Sequence, residues 1–286
     1  MPELPEVETM RRTIGSCVGT RIEQVERCAC RLKPIQVSPR IDHLRRRLVG
    51  RNIVATERAG KRVVLRLDSD EALVIEPRMT GLVLVAAPPD EEHLRLRINL
   101  KPGFARNGRA ATADRLLYWD RRGLGSVRLM RADEFAAAFG PPNLGPDALQ
   151  ISAEQLRERL RASRRAVKVA LLDQQAVAGI GNLYAAEILF VAEVDPRKRC
   201  DRLRRVDWQR VHAATQKVLA EAIRYEGSTL ADGTYRNALN KQGSYQNHHR
   251  VYGRAGEPCP RCGEQEVRRI VQAQRATFFC PSCQKR

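Results

Sequence analysis

Two stretches of this 286-residue sequence carry residue types at spacings that suit chemistry. The first is the start, Met1-Pro2-Glu3-Leu4-Pro5-Glu6-Val7-Glu8-Thr9. A small residue after the initiator methionine favours its removal, which would leave Pro2 with a free secondary amine. An α-amino group has a pKa of roughly 8, so part of it is unprotonated near neutrality. Such amines attack carbonyl-like carbons and form Schiff bases. Glu3 stands beside it, able to pass a proton. The same residues also suit a plain acidic helix start, with Pro2 and Pro5 in the first turn. The second stretch is Cys259-x2-Cys262, then 17 residues, then Cys280-x2-Cys283. This is zinc-ribbon spacing. Four thiolates close a tetrahedral site with no open position, so the expectation is one structural Zn2+. Its binding would contribute on the order of 10 kcal/mol to folding a segment too small for its own core.

The bulk composition points to a polyanionic partner. Lys and Arg total 51 against 33 Asp and Glu, a formal net charge of +18. Nucleic acid ranks ahead of a membrane surface for such a balance, with an arginine-rich proteome as the plain alternative. No apolar stretch approaches the roughly 20 residues a membrane helix requires. The acidic start lacks the apolar core of a signal peptide, so a cytoplasmic protein is expected. The metal spacing of the last four cysteines fits that compartment better than a disulfide framework does. Cys17, Cys28, Cys30 and Cys200 show no such pattern and read as ordinary thiols.

The elements that must position these residues follow from periodicity. Val7, Met10 and Ile14 share one face of a helix from Pro5 to about Val18, which would hold Pro2 at its N-terminal end. Residues 52–57, 61–67, 73–86, 115–119 and 126–130 read as strands, and 41–48 as a short basic helix. Leu94, Leu96, Ile98 and Leu100 alternate with Arg95, Arg97 and Asn99, which puts the polar set on the outer face. Lys61 opens its strand after an Ala59-Gly60 turn. Gly140-Pro141-Pro142-Asn143-Leu144-Gly145-Pro146 is the clearest break in the chain. Beyond it Ser152 and Gln155 form a capping box before Leu156 and Leu160. Further helices are expected over 166–172, from the Gly179-Ile180-Gly181 turn to about Phe190, and from Asp207 onward. Thr229–Asn247 is polar and glycine-spotted and is expected to be a mobile loop. The fold class is therefore α+β and multidomain: an N-terminal β-sandwich with its helix (1–139), a linker (140–146), a helical domain (147–250) and a zinc-binding hairpin (251–286).

Motifs along nearly the whole chain resemble one family. Pro2-Glu3-Leu4-Pro5-Glu6-Val7-Glu8-Thr9 is similar to the N-terminus of the formamidopyrimidine-DNA glycosylases, bacterial base-excision repair enzymes. Leu4 favours this branch over the related endonuclease VIII branch, where glycine is usual. Leu144-Gly145-Pro146-Asp147 resembles the family's interdomain junction. Gly179-Ile180-Gly181-Asn182-Leu183-Tyr184 resembles its helix-two-turn-helix motif. Val251–Cys259 and Gln274-Arg275-Ala276-Thr277-Phe278-Phe279-Cys280 resemble its zinc finger.

The resemblance implies a bifunctional glycosylase and abasic-site lyase that acts on oxidised purines in duplex DNA. Catalytic roles are implied for Pro2 as nucleophile, Glu3 as acid, Lys61 as an assistant and Arg275 in the last elimination. DNA contacts are implied for Glu6, Met79, Arg122, Leu124, Lys168 and Asn182. Met79, Arg122 and Leu124 would fill the gap left by the extruded nucleotide, because chemistry on its sugar requires flipping. The chain departs from the family pattern in three places, one of them near Glu91–His93, where only His93 remains of a His-x-His that the family often carries. Glu76-Pro77-Arg78 replaces a His-Leu-Gly, and Tyr118-Trp119-Asp120-Arg121-Arg122-Gly123-Leu124-Gly125 has leucine where a phenylalanine wedge is usual. No base-reading residues are assigned in 229–247, and none of His93, His248 and His249 receives a role. A monomer is expected. Alternative readings are an endonuclease VIII-like enzyme for oxidised pyrimidines and a non-catalytic zinc-containing DNA-binding protein.

Overall fold

The computed structural model describes residues 2–104, 108, 110–230 and 233–285. Met1 and residues 231 and 232 of the expected loop lie outside these. The chain divides into two compact units, Met1–Phe139 with Tyr225–Ser244, and Gly140–Arg224 with Tyr245–Arg286.

In the first unit α1 (Leu4–Thr13) starts at a capping box: the Glu3 carboxylate accepts from the Glu6 N–H while Glu6 accepts from the Glu3 N–H. The first N–H groups of a helix otherwise lack partners, so this exchange fixes where it begins. Leu4, Val7 and Met10 are fully buried, as is Ile14 in the 3-10 turn that follows. The other helices are α2 (Ile41–Leu48), buried through Leu44 and Leu48, and α3 (Ala132–Phe139). The strands are β1 (Arg21–Arg27), β2 (Gln36–Ser38), β3 (Ile53–Ala59), β4 (Arg62–Leu67), β5 (Ala72–Glu76), β6 (Gly81–Leu84), β7 (Leu94–Lys101), β8 (Gly103–Phe104), β9 (Ala110–Ala111), β10 (Arg115–Asp120) and β11 (Ser126–Met130). One sheet runs β1-β7-β10-β6 and the other β2-β11-β5-β4-β3, with β8 and β9 paired apart. Leu82, Leu96, Ile98 and Leu117 of the first sheet share a core with Val63, Leu65, Ile75 and Val127 of the second, and α1 packs into the same core. This is the expected sandwich.

Two expectations change here. Residues 73–86 form two strands in different sheets rather than one. Pro77 lacks an N–H, Arg78 adopts a positive φ of 53°, and the Gly81 N–H bonds back to the Pro77 carbonyl at 2.8 Å, so the chain turns and crosses between sheets. Arg95, expected on the outer face of β7, is only 3% exposed.

In the second unit α4 (Ala153–Leu160) begins at the expected Ser152/Gln155 capping box. It is followed by α5 (Val167–Leu171), α6 (Asn182–Val191) and α7 (Arg205–Arg224). α6 is apolar almost all round and buried from Leu183 to Phe190, which makes it the axis of this unit. Its one acid, Glu187, is fully buried and accepts N–H bonds from Arg250, Val251 and Tyr252. That anchors the start of the zinc-binding segment. β12 (Arg268–Gln272) and β13 (Arg275–Phe279) form its hairpin.

Residues 225–244 were expected within the helical domain, in part as a mobile loop. They pack instead with the first unit. Tyr235, Asn237 and Ala238 are each no more than 4% exposed. The Ser228 N–H donates to Glu6 Oε1 at 2.9 Å, and the Val85 N–H to the Ala238 carbonyl at 3.0 Å. Polarity misled here because the segment satisfies its polar groups internally while inserting two apolar side chains.

Candidate functional site

Pro2 and Glu3 are both buried at the N-terminal end of α1. Glu3 is 3% exposed. Glu6, expected to contact DNA, is buried too. Its Oε2 accepts from the Glu3 N–H at 2.9 Å and its Oε1 from the Ser228 N–H at 2.9 Å. A Cβ on Gly227 (φ +79°) would lie 2.9 Å from the Glu6 Cγ, so only glycine admits this approach. Glu6 therefore clamps the start of α1 to the 225–244 segment. Tyr235 lies against it, and burial first, then the Glu6 charge, pushes its phenol well above the ordinary range.

Lys61 is half-buried and follows Gly60 (φ +58°) in the turn joining β3 and β4. Ion pairs fix that turn relative to α1. Arg58 Nε donates to Glu8 Oε2 at 3.2 Å and its Nη1 to the Gly60 carbonyl at 3.0 Å. Arg11 and Arg12 each bond Glu8 Oε1 at 2.8 Å. Burial alone would push the Glu8 carboxyl up, but the hydrogen bonds from Arg11 and Arg12 and the charges of Arg11 and Arg58 bring it down to about 2. Neither Glu8 nor Arg58 was singled out from sequence, where a charged pair fifty residues apart leaves no signal.

The second group is built by sheet topology. Gly81 pairs with Asp120 in one sheet, and Glu76 pairs with Ser126 in the other. The turn carrying Met79 and the loop carrying Arg122 and Leu124 are both crossovers between the sheets, so these pairings place them side by side. Asp120 is fully buried and organises both. Its Oδ1 accepts from Thr80 Oγ1 and from the Arg122 N–H, and its Oδ2 from the Gly125 N–H at 2.9 Å. The Tyr118 hydroxyl lies beneath, packed so closely that a Cβ on Gly125 would meet it at 1.7 Å. Burial first and the Asp120 charge second push that phenol well up. Met79 is 38% exposed, Arg122 exposed and Leu124 half-buried. The apolar and cationic tips thus face outward on a rigid base.

In the second unit Lys168, expected to contact DNA, is fully buried. Its Nζ donates to Asn182 Oδ1 at 2.6 Å, the Ala276 carbonyl at 3.1 Å and Thr277 Oγ1 at 2.8 Å. All three ammonium protons have acceptors, so Lys168 is a brace and not a surface cation. Asn182, at the start of α6, also donates from Nδ2 to the Ala276 carbonyl at 3.0 Å. Arg275 is exposed and opens β13, paired with Gln272 next to the Ala273-Gln274 turn. Lys168 therefore couples Asn182 to the strand that carries Arg275.

The Sγ atoms of Cys259, Cys262, Cys280 and Cys283 lie within 4.8 Å of one another, with Cys259–Cys283 at 3.8 Å and Cys262–Cys280 at 3.9 Å. Tetrahedral zinc with Zn–S bonds near 2.3 Å requires sulfur separations of about 3.8 Å. The cluster fits one structural Zn2+. It packs on α6 through Phe190, Val251, Val267 and Phe278. No helix among the described residues is long and apolar enough to cross a membrane.

Three family descriptions match the sequence: the formamidopyrimidine-DNA glycosylase N-terminal domain over residues 1–127, its H2TH domain over 144–233, and the zinc finger found in FPG and IleRS over 256–286. The formamidopyrimidine-DNA glycosylase of Chloroflexus aurantiacus is 39% identical, with 99% of this chain and 98% of that protein aligned. Among solved structures, the Lactococcus lactis Fpg in complex with abasic-site DNA has a TM-score of 0.84 at 31% identity, covering 99% of this chain and 100% of that one. The Thermus thermophilus Fpg protein has a TM-score of 0.82 at 34% identity, covering 99% and 98%.

Proposed function

The chain belongs to the formamidopyrimidine-DNA glycosylase family, a DNA-repair enzyme that acts on damaged DNA, and on that premise we propose that it excises oxidised purines from duplex DNA and then cuts the strand as a lyase. The observation that carries this reading is the placement of Pro2 and Glu3 at a buried, doubly clamped helix start. An N-terminal stretch that served only as an acidic leader would have no reason to be held there.

Removal of Met1 frees the Pro2 nitrogen. The damaged nucleotide is extruded, since its sugar is unreachable in the stack. The Pro2 nitrogen bonds to the anomeric carbon as the bond from that carbon to the base breaks, and the base leaves with the bonding pair and takes a proton from water. Glu3 takes the proton released from the nitrogen and delivers it to the ring oxygen, which opens the sugar and leaves an iminium. That cation acidifies the neighbouring sugar proton. Its loss expels the phosphate on one side, and a second elimination expels the other. Water then hydrolyses the remaining Schiff base and restores the Pro2 amine. Lys61 stabilises charge or assists a proton transfer during these steps. Met79, Arg122 and Leu124 fill the vacancy in the duplex, where the planar donors of arginine suit a cytosine edge. Arg275 and Asn182 hold backbone phosphates. Zn2+ on the four cysteines supports the hairpin and takes no part in bond making. The protein works as a cytoplasmic monomer.

Borohydride trapping tests the mechanism. Wild-type protein should become covalently joined to abasic duplex DNA, while Pro2→Gly is trapped far less and a form retaining Met1 is not trapped at all. A protein that nicks lesion-bearing duplex normally with Met1 still attached would overturn the reading. Comparing duplexes with 8-oxoguanine and thymine glycol separates it from the endonuclease VIII-like alternative.

A further inference from the structure

Arg95 lies where strand alternation calls for a solvated side chain, yet it is 3% exposed. Its Nε donates to the Asp120 carbonyl at 2.7 Å and its Nη2 to the Arg121 carbonyl at 3.5 Å. These are the two carbonyls immediately before Arg122. The third nitrogen, Nη1, is buried with no hydrogen-bond partner among the described residues. Arg95 also lines a cavity of about 280 Å³ with Arg27, Cys28, Cys30, Pro34 and Ile35, none of which is a carboxylate. A buried guanidinium with an idle nitrogen is a poor device for stability, because an apolar side chain of similar size would fill the space without the desolvation cost. What Arg95 supplies that an apolar residue cannot is a grip on two successive loop carbonyls.

The rest of the loop is held from the other side. The Asp120 carboxylate binds the N–H groups of Arg122 and Gly125. Gly123 (φ +60°) packs so tightly on the Lys33 carbonyl that a Cβ would meet it at 2.0 Å. These contacts fix the N–H side and the tip. Arg95 holds the carbonyl side of peptides 120–121 and 121–122, whose rotation would swing the Arg122 Cα. We propose that Arg95 is a positioning residue that presets Arg122 and thereby sets which base opposite the lesion the protein accepts. The inference rests on the reading of Arg122 as the residue that enters the vacancy. A planar donor discriminates between base edges only if its approach is fixed, and a preset loop removes the ordering cost of fixing it on binding. Pro2 and Lys61 sit on other elements, so the chemistry itself does not depend on this grip.

The test is the single-turnover nicking rate of one lesion, 8-oxoguanine, opposite cytosine and opposite adenine. Four variants are compared with wild type: Arg95→Met, Arg95→Lys, Arg97→Met and Arg122→Ala. The cytosine-to-adenine ratio should fall about tenfold in Arg95→Met, as expected when one well-placed bidentate contact to a base edge is lost. Arg95→Lys keeps one donor for one carbonyl and should fall between. Arg97, on the same strand but half-exposed and bonded to Glu91, is the control and should leave the ratio unchanged when replaced by methionine. Borohydride trapping on abasic duplex should stay near wild type in the Arg95 and Arg97 variants, which a merely misfolded protein would not manage. If Arg122→Ala collapses the ratio while folded Arg95→Met, or Arg95→Lys should the former not fold, retains it, the proposal for Arg95 is overturned alone. If Arg122→Ala leaves the ratio intact, the reading of Arg122 falls and this inference falls with it.

Discussion

Thr80 Oγ1 donates to Asp120 Oδ1 at 2.5 Å and accepts from the Arg122 N–H at 3.0 Å. One hydroxyl thus joins the crossover that carries Met79 to the crossover that carries Arg122. The two loops are separated by some forty residues in the chain and behave as one rigid piece.

Replacing Thr80 by valine keeps the shape and removes the hydroxyl. The buried Asp120 carboxylate then loses a donor and the Arg122 N–H keeps only a longer bond to Asp120 Oδ1 at 3.2 Å. A hydrogen bond to a charged group contributes about 1.5–3 kcal/mol, so Thr80→Val should destabilise the sandwich unit by about 2 kcal/mol. Urea unfolding measures this, and a loss under about 0.5 kcal/mol would mean that the two crossovers are held by other contacts.

Replacing Lys168 and replacing Arg275 should affect the salt dependence of binding differently. Arg275 is exposed, and if it binds a phosphate, Arg275→Ala reduces the slope of log affinity against log salt by about 1. Lys168 is buried against Asn182, Ala276 and Thr277, so it releases no counterion. Lys168→Met should weaken binding through misplacement of Asn182 and the hairpin while leaving the slope at its wild-type value. Fluorescence anisotropy between 50 and 200 mM salt, about where six phosphate contacts would lose roughly a thousandfold, distinguishes the two. A changed slope for Lys168→Met would show that the lysine meets DNA after all.

Metal removal should act on structure before chemistry. The zinc-binding segment meets α6 through a small apolar cluster and the N–H bonds of Arg250, Val251 and Tyr252 to Glu187, too little to hold it folded alone. Losing a contribution on the order of 10 kcal/mol should unfold it. Metal analysis should return one zinc per chain. Chelation or Cys283→Ser should abolish tight DNA binding, and retention of full affinity by metal-free protein would contradict the assignment of the hairpin to DNA contact.

Acid should loosen α1 through Glu8. Its carboxyl is held near 2 in the folded chain, against an ordinary value of 4.5. A depressed pKa contributes stability that is fully present above the unfolded value and is lost as pH falls through the folded one. The contribution should therefore be constant above about pH 5 and disappear between about pH 4.5 and 2. Glu8→Gln should be less stable than wild type at pH 7, and the difference should shrink toward zero across that acid window. Stability curves of both proteins by urea unfolding at several pH values check the sign. A difference that grows on acidification would rule out this ion pair as the cause.

Local pattern was enough for much of this protein. The Ser152/Gln155 capping box, the apolar face of Val7, Met10 and Ile14, the basic helix at 41–48 and the four-cysteine spacing all act over a few residues or through one metal, so their signal survives in the linear chain. β1 escaped notice because a bulge between Ile22 and Gln24 breaks its two-residue period. α3 escaped because it has no fully buried residue and instead lays Phe135 and Phe139 under the guanidinium groups of Arg66, Arg62 and Arg128.

Residue chemistry named the participants: a proline and a glutamate at the start, a methionine and an arginine on turns, a lysine and an asparagine before a helix. Only the tertiary structure decided which of them face outward. Glu6 and Lys168 became internal clamps, and Arg95 moved from the presumed surface to beneath a loop, because each found acceptors or donors contributed by segments distant in the chain. A side chain's type determines what bonds it can make. Which partners surround it is set by how strands pair and sheets close, and those long-range choices leave no periodic trace near the residue itself.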